Sequence, residues 1–530
     1  MPPPDLQRSG WDWMRMALGL GAGLAQAASL AWPLSMQASP LPASALRPGQ
    51  PLWWLQLLAM ALLALLLQTS RNWRQAAWMG WLFALAWLGA AVGWTFVALN
   101  TYGGLPTLLS LLAVFAFAGL MALLYAAACG AFVAIEAGHT HWAAAIFAAF
   151  WMLAELARGS WLSGFGWGAS GYAHVDGPLA GYAPWLGVYG LCALSAWLGM
   201  TMVRVVRLRG GWAELRSLAL ALVVLGLPAL ISWVTPPWSQ PSGELSVTLL
   251  QGNISQDEKF EAGSGIPLAL QWYGEQLQKS QTSLVIAPET AIPLLPQQLP
   301  PDYWPALQQR FASGQQAALI GIPLGDYQQG YTNSVLGLKP AQTPDWRYDK
   351  QHLVPFGEFI PQFFKWFTAL MNIPLGDFNR GAPMQAPFVW QGQKLATNIC
   401  YETLFGEELA AQFSEPTLAP SIFVNISNLA WFGNGLAMNQ HLQIARMRAL
   451  EFERAFVLST NTGVSAIIDH RARVLSALEP DTRAVLVGQV QGRVGVTPYA
   501  WWVARFGLWP LCLLALALVL QAVRTRQTGR

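Results

Sequence analysis

The sequence predicts a multi-span α-helical membrane domain of eight helices joined to an α/β domain that lies outside the cytoplasm. Three observations carry this prediction. The chain of 530 residues is 54% apolar and only 11% charged, against about 25% charged residues in an ordinary soluble domain. Eight apolar runs are long enough, or nearly so, to cross a hydrocarbon core of about 30 Å. Between the seventh and eighth runs the grammar changes to short β-rich runs, scattered charges and amphipathic helices, and about 260 residues suffice for one layered domain.

The apolar runs lie near 15–34, 51–69, 75–99, 105–135, 142–157, 183–203, 217–235 and 499–523. The first also has the form of a signal peptide, but the spans that follow favour an uncleaved helix. The run at 142–157 is short and contains Glu155, and that at 105–135 is long. Positive charge sets the orientation. Arg8 and Arg15, Arg71 and Arg74, Arg204, Arg207, Arg209 and Arg216, and Arg524, Arg526 and Arg530 all fall on one side when eight spans are counted. That side is the cytoplasm, with both termini in it. The opposite loops hold Arg47 and Arg158. The expected division is therefore 1–235 for a transmembrane domain of seven helices, 236–498 for the outer domain, and 499–530 for the last helix and a cytoplasmic tail. Ser160–Ala173 is too rich in glycine to continue a helix and reads as a loop at the outer surface.

Composition excludes other classes. The net charge is only +3, and no basic run with interleaved aromatics points to nucleic acid. Cys129, Cys192 and Cys512 lie in apolar runs and read as small buried hydrophobes. Cys400 is the one cysteine in the polar part. No spacing of cysteine or histidine suggests a metal site or a disulfide framework.

Within 236–498 the expected strands are 245–250, 283–287, 317–322, 334–338, 395–399, 421–426, 455–459, 466–469 and 484–490, and the expected helices are 264–280, 302–313, 404–413 and 437–453. Strands and helices alternate, as in α/β layers. No internal repeat is visible. Three β-rich runs stand beside residues able to do chemistry. Leu284–Ala287 leads into Pro288-Glu289-Thr290, Lys350 follows Arg347-Tyr348-Asp349, and Ala396–Ile399 delivers Cys400-Tyr401-Glu402. A thiol becomes a strong nucleophile beside a base or a positive charge. Lys350 can supply the charge and, with backbone N–H groups near Tyr401, stabilise an oxyanion. Glu289 can act as general base and then general acid. Taken singly, each has a plainer reading: a buried cysteine, a salt-bridging lysine and a surface glutamate. Glu358 reads equally as a group positioning Lys350 and as a loop carboxylate. A Cys400–His352 pair ranks lower, since no third group is evident to orient the imidazole. Trp431 and Phe432 suit an acyl chain or a membrane surface, and equally a packed loop corner. Arg446, Arg448, Glu451 and Arg454 read as ion pairs around a helix.

These residues resemble the nitrilase superfamily. With eight spans around them, the chain is similar to its membrane-embedded branch, the apolipoprotein N-acyltransferases. The resemblance lies in Gln251-Gly252-Asn253-Ile254, Ala287–Thr290, Lys350–Glu358, Asn398–Glu402, Asn425–Gly433, Gln440–Glu451 and Glu155–Gly159. It implies an αββα sandwich with Glu289, Lys350 and Cys400 as a catalytic triad. Glu358, Tyr401, Glu402, Trp431 and Phe432 are then accessory or substrate-binding positions. Three departures from the pattern are Phe260 for a lid tryptophan, Leu429 for an aspartate before Ala-Trp-Phe-Gly, and Gly166 for a membrane-edge proline. The implied reaction is ping-pong acyl transfer through a Cys400 thioester. The donor is a phospholipid, by the resemblance phosphatidylethanolamine, and the acceptor is the N-terminal amine of a diacylglyceryl-cysteine apolipoprotein. The implied setting is the bacterial inner membrane, with the domain on the periplasmic side. No metal, nucleotide or other cofactor is expected, and nothing demands more than a monomer. Two other classes remain. A membrane-tethered nitrilase-type amidase shares the triad but gives no reason for eight spans. A transporter would place charges inside the spans, which contain few apart from Glu136 and Glu155 near span ends.

Overall fold

The computed structural model describes residues 4–34, 46–136, 142–207, 212–234, 236–326, 328–341, 344–360, 378–433 and 435–528. Arg209 and Arg530 of the basic clusters lie outside the described residues. The chain divides into two compact units. One comprises Met1–Phe96, Thr107–Pro237 and Phe506–Arg530, and the other Val97–Pro106 and Trp238–Arg505.

In the first unit the apolar runs are helical. They form α1 (Pro4–Leu30), α2 (Trp53–Gln68), α3 (Trp73–Ala91), α4 (Thr107–Glu136), α5 (Ala143–Ser160), α6 (Ala183–Arg207), α7 (Trp212–Val234) and a C-terminal helix, Trp509–Thr528. Four stretches are long and apolar enough to cross a membrane: Thr107–Glu136, Ala143–Ser163, Pro178–Val206 and Trp509–Gln527. A fifth qualifies if Trp73–Ala91 and Thr95–Tyr102, bent by 64°, are one span. The finding is thus about four to five such helices among the described residues, with Trp53–Gln68 and Leu215–Ile231 as shorter apolar helices. On α4, Leu108, Leu111, Leu112, Phe115, Leu120 and Leu123 are all exposed. A helix apolar all round needs lipid or protein to cover it.

The charges of α5 are paired. Arg158 Nη2 lies 2.6 Å from Glu155 Oε2, and both side chains are buried. Arg158 also donates to the carbonyls of Phe165 and Trp167 at 2.6 and 2.7 Å and to Tyr125 Oη at 2.8 Å. Glu155 Oε1 accepts from Ser170 N and Oγ at 3.2 and 2.9 Å. The glycine-rich stretch after α5 is a set of tight turns, and the ion pair satisfies three of its backbone groups, the Phe165 and Trp167 carbonyls and the Ser170 N–H.

Among the described residues the second unit has twelve strands: β1 (Ser239–Gln251), β2 (Leu284–Ile286), β3 (Ala317–Asp326), β4 (Gly330–Leu338), β5 (Trp346–Asp349), β6 (Phe388–Trp390), β7 (Gln393–Ile399), β8 (Ile422–Ser427), β9 (Ala455–Thr460), β10 (Ala466–Ile468), β11 (Val474–Ala477) and β12 (Ala484–Gly495). All nine expected strands are present. Of the other three, β5 falls on the β-rich run that precedes Lys350, while β6 and β11, of three and four residues, were not expected. The strands make two six-stranded sheets, β12-β1-β2-β3-β4-β5 and β11-β10-β9-β8-β7-β6. In each sheet two adjacent parallel pairs, β1-β2-β3 and β7-β8-β9, are flanked by antiparallel strands. The two sheets thus repeat one topology, a repeat that is absent from the residues themselves.

The sheets pack face to face. Leu245, Val247 and Leu249 of β1 and Ile286 of β2 share one core with Leu395, Val424, Ile426 and Leu458. The opposite face of the first sheet, with Leu250, Val285, Ala318 and Ile320, is covered by α8 (Gly265–Lys279) and α9 (Tyr303–Ala312) through Ala269, Tyr273, Leu277, Leu307 and Phe311. The second sheet is covered by α10 (Leu436–Phe452), where Phe452 stacks on Phe413 at 5.4 Å and packs against Phe423 of β8 at 5.2 Å. Each such side chain contributes roughly 1.5–3 kcal/mol on full burial. The layer order is helix, sheet, sheet, helix.

The last apolar run, expected as one helix over 499–523, is broken. A helix α11 (Pro498–Phe506) sends Tyr499, Ala500 and Val503 into the core of the second unit. Gly507, at φ 55°, ends it before Trp509 begins the C-terminal helix. The expected helix at 404–413 is a series of short turns over 400–414.

Candidate active site

Three strand ends bring Glu289, Lys350 and Cys400 together. β2 runs parallel between β1 and β3, and Pro288, which lacks an N–H, stops the ladder before Glu289. The turn packs on Gly321 of β3, where a Cβ would strike the Pro288 carbonyl and lie 2.8 Å from Glu289 Cα. Only a residue without a side chain fits there. β5 delivers Lys350, whose N–H donates to the Asn333 carbonyl at 2.8 Å. β7 delivers Cys400 in the left-handed region, at φ 51°. The Cys400 carbonyl accepts from Asn425 Nδ2 at 3.2 Å and Thr403 Oγ1 at 3.1 Å, which holds a backbone that a non-glycine residue rarely adopts.

The side chains form one buried cluster. Lys350 Nζ lies 2.8 Å from Glu358 Oε1 and 3.6 Å from Glu289 Oε1. Asn333 Nδ2 donates to both carboxylates, at 2.6 Å to Glu289 and 2.9 Å to Glu358. Glu289 Oε2 accepts from the Asn428 backbone N–H at 2.8 Å, and Glu358 Oε2 from Val354 N at 2.9 Å. Glu358 is therefore no loose loop carboxylate, because it fixes the lysine.

These surroundings decide the protonation states. Burial works against the Lys350 charge, but Glu358 and Glu289 outweigh it and raise its pKa, so it stays an ammonium. Burial and then the Glu289 charge push the Cys400 thiol up, against the opposing pull of Lys350 and the Asn428 amide. The sulfur is thus a neutral thiol at rest. A thiol in this state attacks a carbonyl only if a base takes its proton in the same step, and among the carboxylates Glu289 is the one whose charge acts most on the sulfur.

Other expected residues fall in different places. Glu402 is buried behind the cluster. Its oxygens accept from Ile399 N (2.6 Å), Gln351 N (2.7 Å), His352 N (3.1 Å) and Tyr348 Oη (2.9 Å). It clamps the residues after β5 to the end of β7. Burial pushes its pKa up to about 7, against those hydrogen bonds. Tyr401 packs on Phe405 and His352, with ring centroids 5.3 and 5.8 Å apart. Trp431 meets Tyr102 edge-to-face at 5.5 Å, and Phe432 packs against the sandwich core. His352 does have an orienting group, Glu408, at 2.7 Å from Nδ1, which the sequence did not reveal. The groups acting most on the Cys400 thiol are nevertheless Glu289, Lys350, Glu358 and the Asn428 amide. Arg448 and Glu451 are a buried pair at 2.8 Å, as expected of this helix. Of the departures, Phe260 is exposed, while Leu429 is buried.

Sequence reasoning missed Asn333, Asn425, Asn428, Lys259 and Glu408. Asparagines near strand ends read as turn residues, and Lys259 hides in the polar run Gln256-Asp257-Glu258-Lys259. The available signal was the spacing of Asn425 and Asn428 at the end of an apolar strand.

Two family models match the chain: the apolipoprotein N-acyltransferase N-terminal domain over residues 40–201 and carbon-nitrogen hydrolase over 246–499. A protein of Verminephrobacter eiseniae called apolipoprotein N-acyltransferase is 53% identical over 514 residues, 92% of each chain. The chain belongs to the apolipoprotein N-acyltransferase family. Relatives of the same name from Ralstonia nicotianae and Bordetella bronchiseptica are 41% and 39% identical, over 84% and 98% of this chain and 85% and 98% of theirs. As a member of the apolipoprotein N-acyltransferases it is an acyltransferase, and its carbon-nitrogen hydrolase match spans the two sheets that carry Glu289, Lys350 and Cys400.

Proposed function

We propose that the chain moves an acyl group from a phospholipid to the N-terminal amine of a diacylglyceryl-cysteine apolipoprotein through a thioester on Cys400. The observation that carries this is the buried thiol set beside a carboxylate and a fixed ammonium, in a chain of this family that also has long apolar helices. Cys400 Sγ bonds to the ester carbonyl carbon while its proton passes to Glu289. Lys350 faces the oxyanion. The tetrahedral species collapses, the ester C–O bond breaks, and Glu289 returns the proton to the departing lysophospholipid oxygen. The lipoprotein amine then bonds to the thioester carbonyl carbon as Glu289 takes its proton, the C–S bond breaks, and Glu289 returns the proton to the departing sulfur, which restores the thiol. Both substrates are lipid-anchored, so a site at the membrane orients them.

The finer reading assigns Glu289, Lys350 and Cys400 as the triad, with Glu358, Tyr401, Glu402, Trp431 and Phe432 as accessory residues. It gives the membrane part eight spans, seven of them in 1–235 and one in 499–530. It sets 236–498 on the periplasmic side of the inner membrane and both termini in the cytoplasm, in a monomer that uses phosphatidylethanolamine. The test is to give purified protein a phospholipid and a diacylglyceryl-cysteine peptide and to follow peptide mass. A gain of one acyl chain on the peptide amine supports the reading. Hydrolysis of small amides without acyl transfer would favour the amidase instead.

A further inference from the structure

A second lysine enters the site from a segment that the reaction above does not use. Lys259 is 1% exposed, and its Nζ donates to the main-chain carbonyl of Glu289 at 3.0 Å. Its turn is fixed from three sides. Lys259 N donates to the Ser255 carbonyl at 3.0 Å. Gln256 Oε1 accepts from Asn428 Nδ2 at 2.7 Å. Gly265 at the start of α8 packs so closely that an added Cβ would lie 2.8 Å from Lys259 Cα. The ammonium is thus buried against the base of the reaction.

The charges of the cluster explain why a second cation belongs there. Glu289 and Glu358 share one amide, Asn333 Nδ2, and one ammonium, Lys350. Two carboxylates placed on one cation repel each other, and a second cation offsets that repulsion. Glu289 must be ionised to take the thiol proton. We propose that Lys259 is a positioning residue for acyl transfer, a second buried cation that holds the Glu289 main chain and keeps its carboxylate ionised as the base for Cys400. Glu289 and Cys400 are the titratable groups that act on Lys259 from the facing loops, and Asp257, Glu258 and Glu261 flank it on its own segment. Burial brings Lys259 down to about 8, against the pull of Glu289 and Cys400, so it carries its charge at neutral pH.

This inference rests on the Cys400 acyl-enzyme reading, and the experiment separates the two. Single-turnover acylation of Cys400 is followed by intact mass in phosphatidylethanolamine micelles, without peptide, as a function of pH. Lys259→Gln keeps a donor for the Glu289 carbonyl and removes the charge, and Lys259→Arg keeps the charge. Removing a cation raises a nearby carboxylate's pKa, so the acid limb of the Lys259→Gln profile moves up by about 1–3 pH units. Its rate approaches that of wild type above the shifted limb, and Lys259→Arg retains the wild-type limb. A Lys259→Gln limb that stays in place, whether its rate is normal or uniformly reduced, overturns the proposal. It does so even if Lys259→Arg fails to fold. A wild type that never takes up acyl overturns the acyl-enzyme reading and this inference with it.

Discussion

Cys400 occupies a left-handed backbone position that costs a non-glycine residue roughly 1–2 kcal/mol, and the donors on its carbonyl offset that cost. Asn425 Nδ2 is the busiest of them, because it also bonds Asn398 Oδ1 at 2.7 Å and Thr403 Oγ1 at 2.8 Å. Asn425→Ala leaves these buried acceptors short of a donor, and thermal unfolding should show a loss of about 1–3 kcal/mol. Glu289→Gln should behave differently. It removes the base while retaining a side chain of the same shape, so thioester formation should fall by at least about 10²-fold with the protein still folded, as circular dichroism and gel filtration would report. Wild-type acylation in Glu289→Gln would remove Glu289 from the role of base. Residues of this kind differ in how legible they are. Cys400 stood out because it is the one cysteine outside the apolar runs. Glu289 and Lys350 stood out because charged residues are conspicuous beside β-rich runs. Lys259 and the asparagines did not, because in one dimension a buried polar residue looks the same as one in water.

At the scale of elements, the site depends on how strand ends are held against each other. Gly321 of β3 lets the Glu289 turn approach. Gly321→Ala must displace that turn, so acylation should fall by about 10²-fold while unfolding shifts by about 1–3 kcal/mol, the usual cost of overpacking. An unchanged acylation rate would show that the turn tolerates movement. Glu402 performs the corresponding task between β5 and β7 through three backbone N–H groups and Tyr348. Long strands and helices were legible from their periods. Among the shortest strands β2 and β10 were legible but β6 and β11 were not, nor was the shared topology of the two sheets. Both are fixed by tertiary pairing, and neither the topology nor the pairing leaves a periodic trace in the residues.

At the scale of the molecule, composition spoke most clearly. Apolar runs with few charges must become helices where their backbone cannot bond water, and each of the eight contains helix, the last of them broken at Gly507. Their lengths are less uniform than the runs suggested, because α2 is short and the helical segment after α3, Thr95–Tyr102, is bent from it by 64°. The proposed topology predicts that an impermeant thiol reagent added outside intact spheroplasts reaches single cysteines on exposed positions of 236–498 and none at the termini. Labelling of the termini from outside would reverse the orientation. The central claim is that Cys400 carries an acyl chain between two lipids, and intact-mass spectrometry tests it most directly. After incubation with phospholipid alone, wild-type protein should gain the mass of one acyl chain, released by hydroxylamine and mapped to Cys400, and Cys400→Ala should gain none. Peptide acylation by a wild type that never shows this adduct, or by Cys400→Ala, would contradict the account.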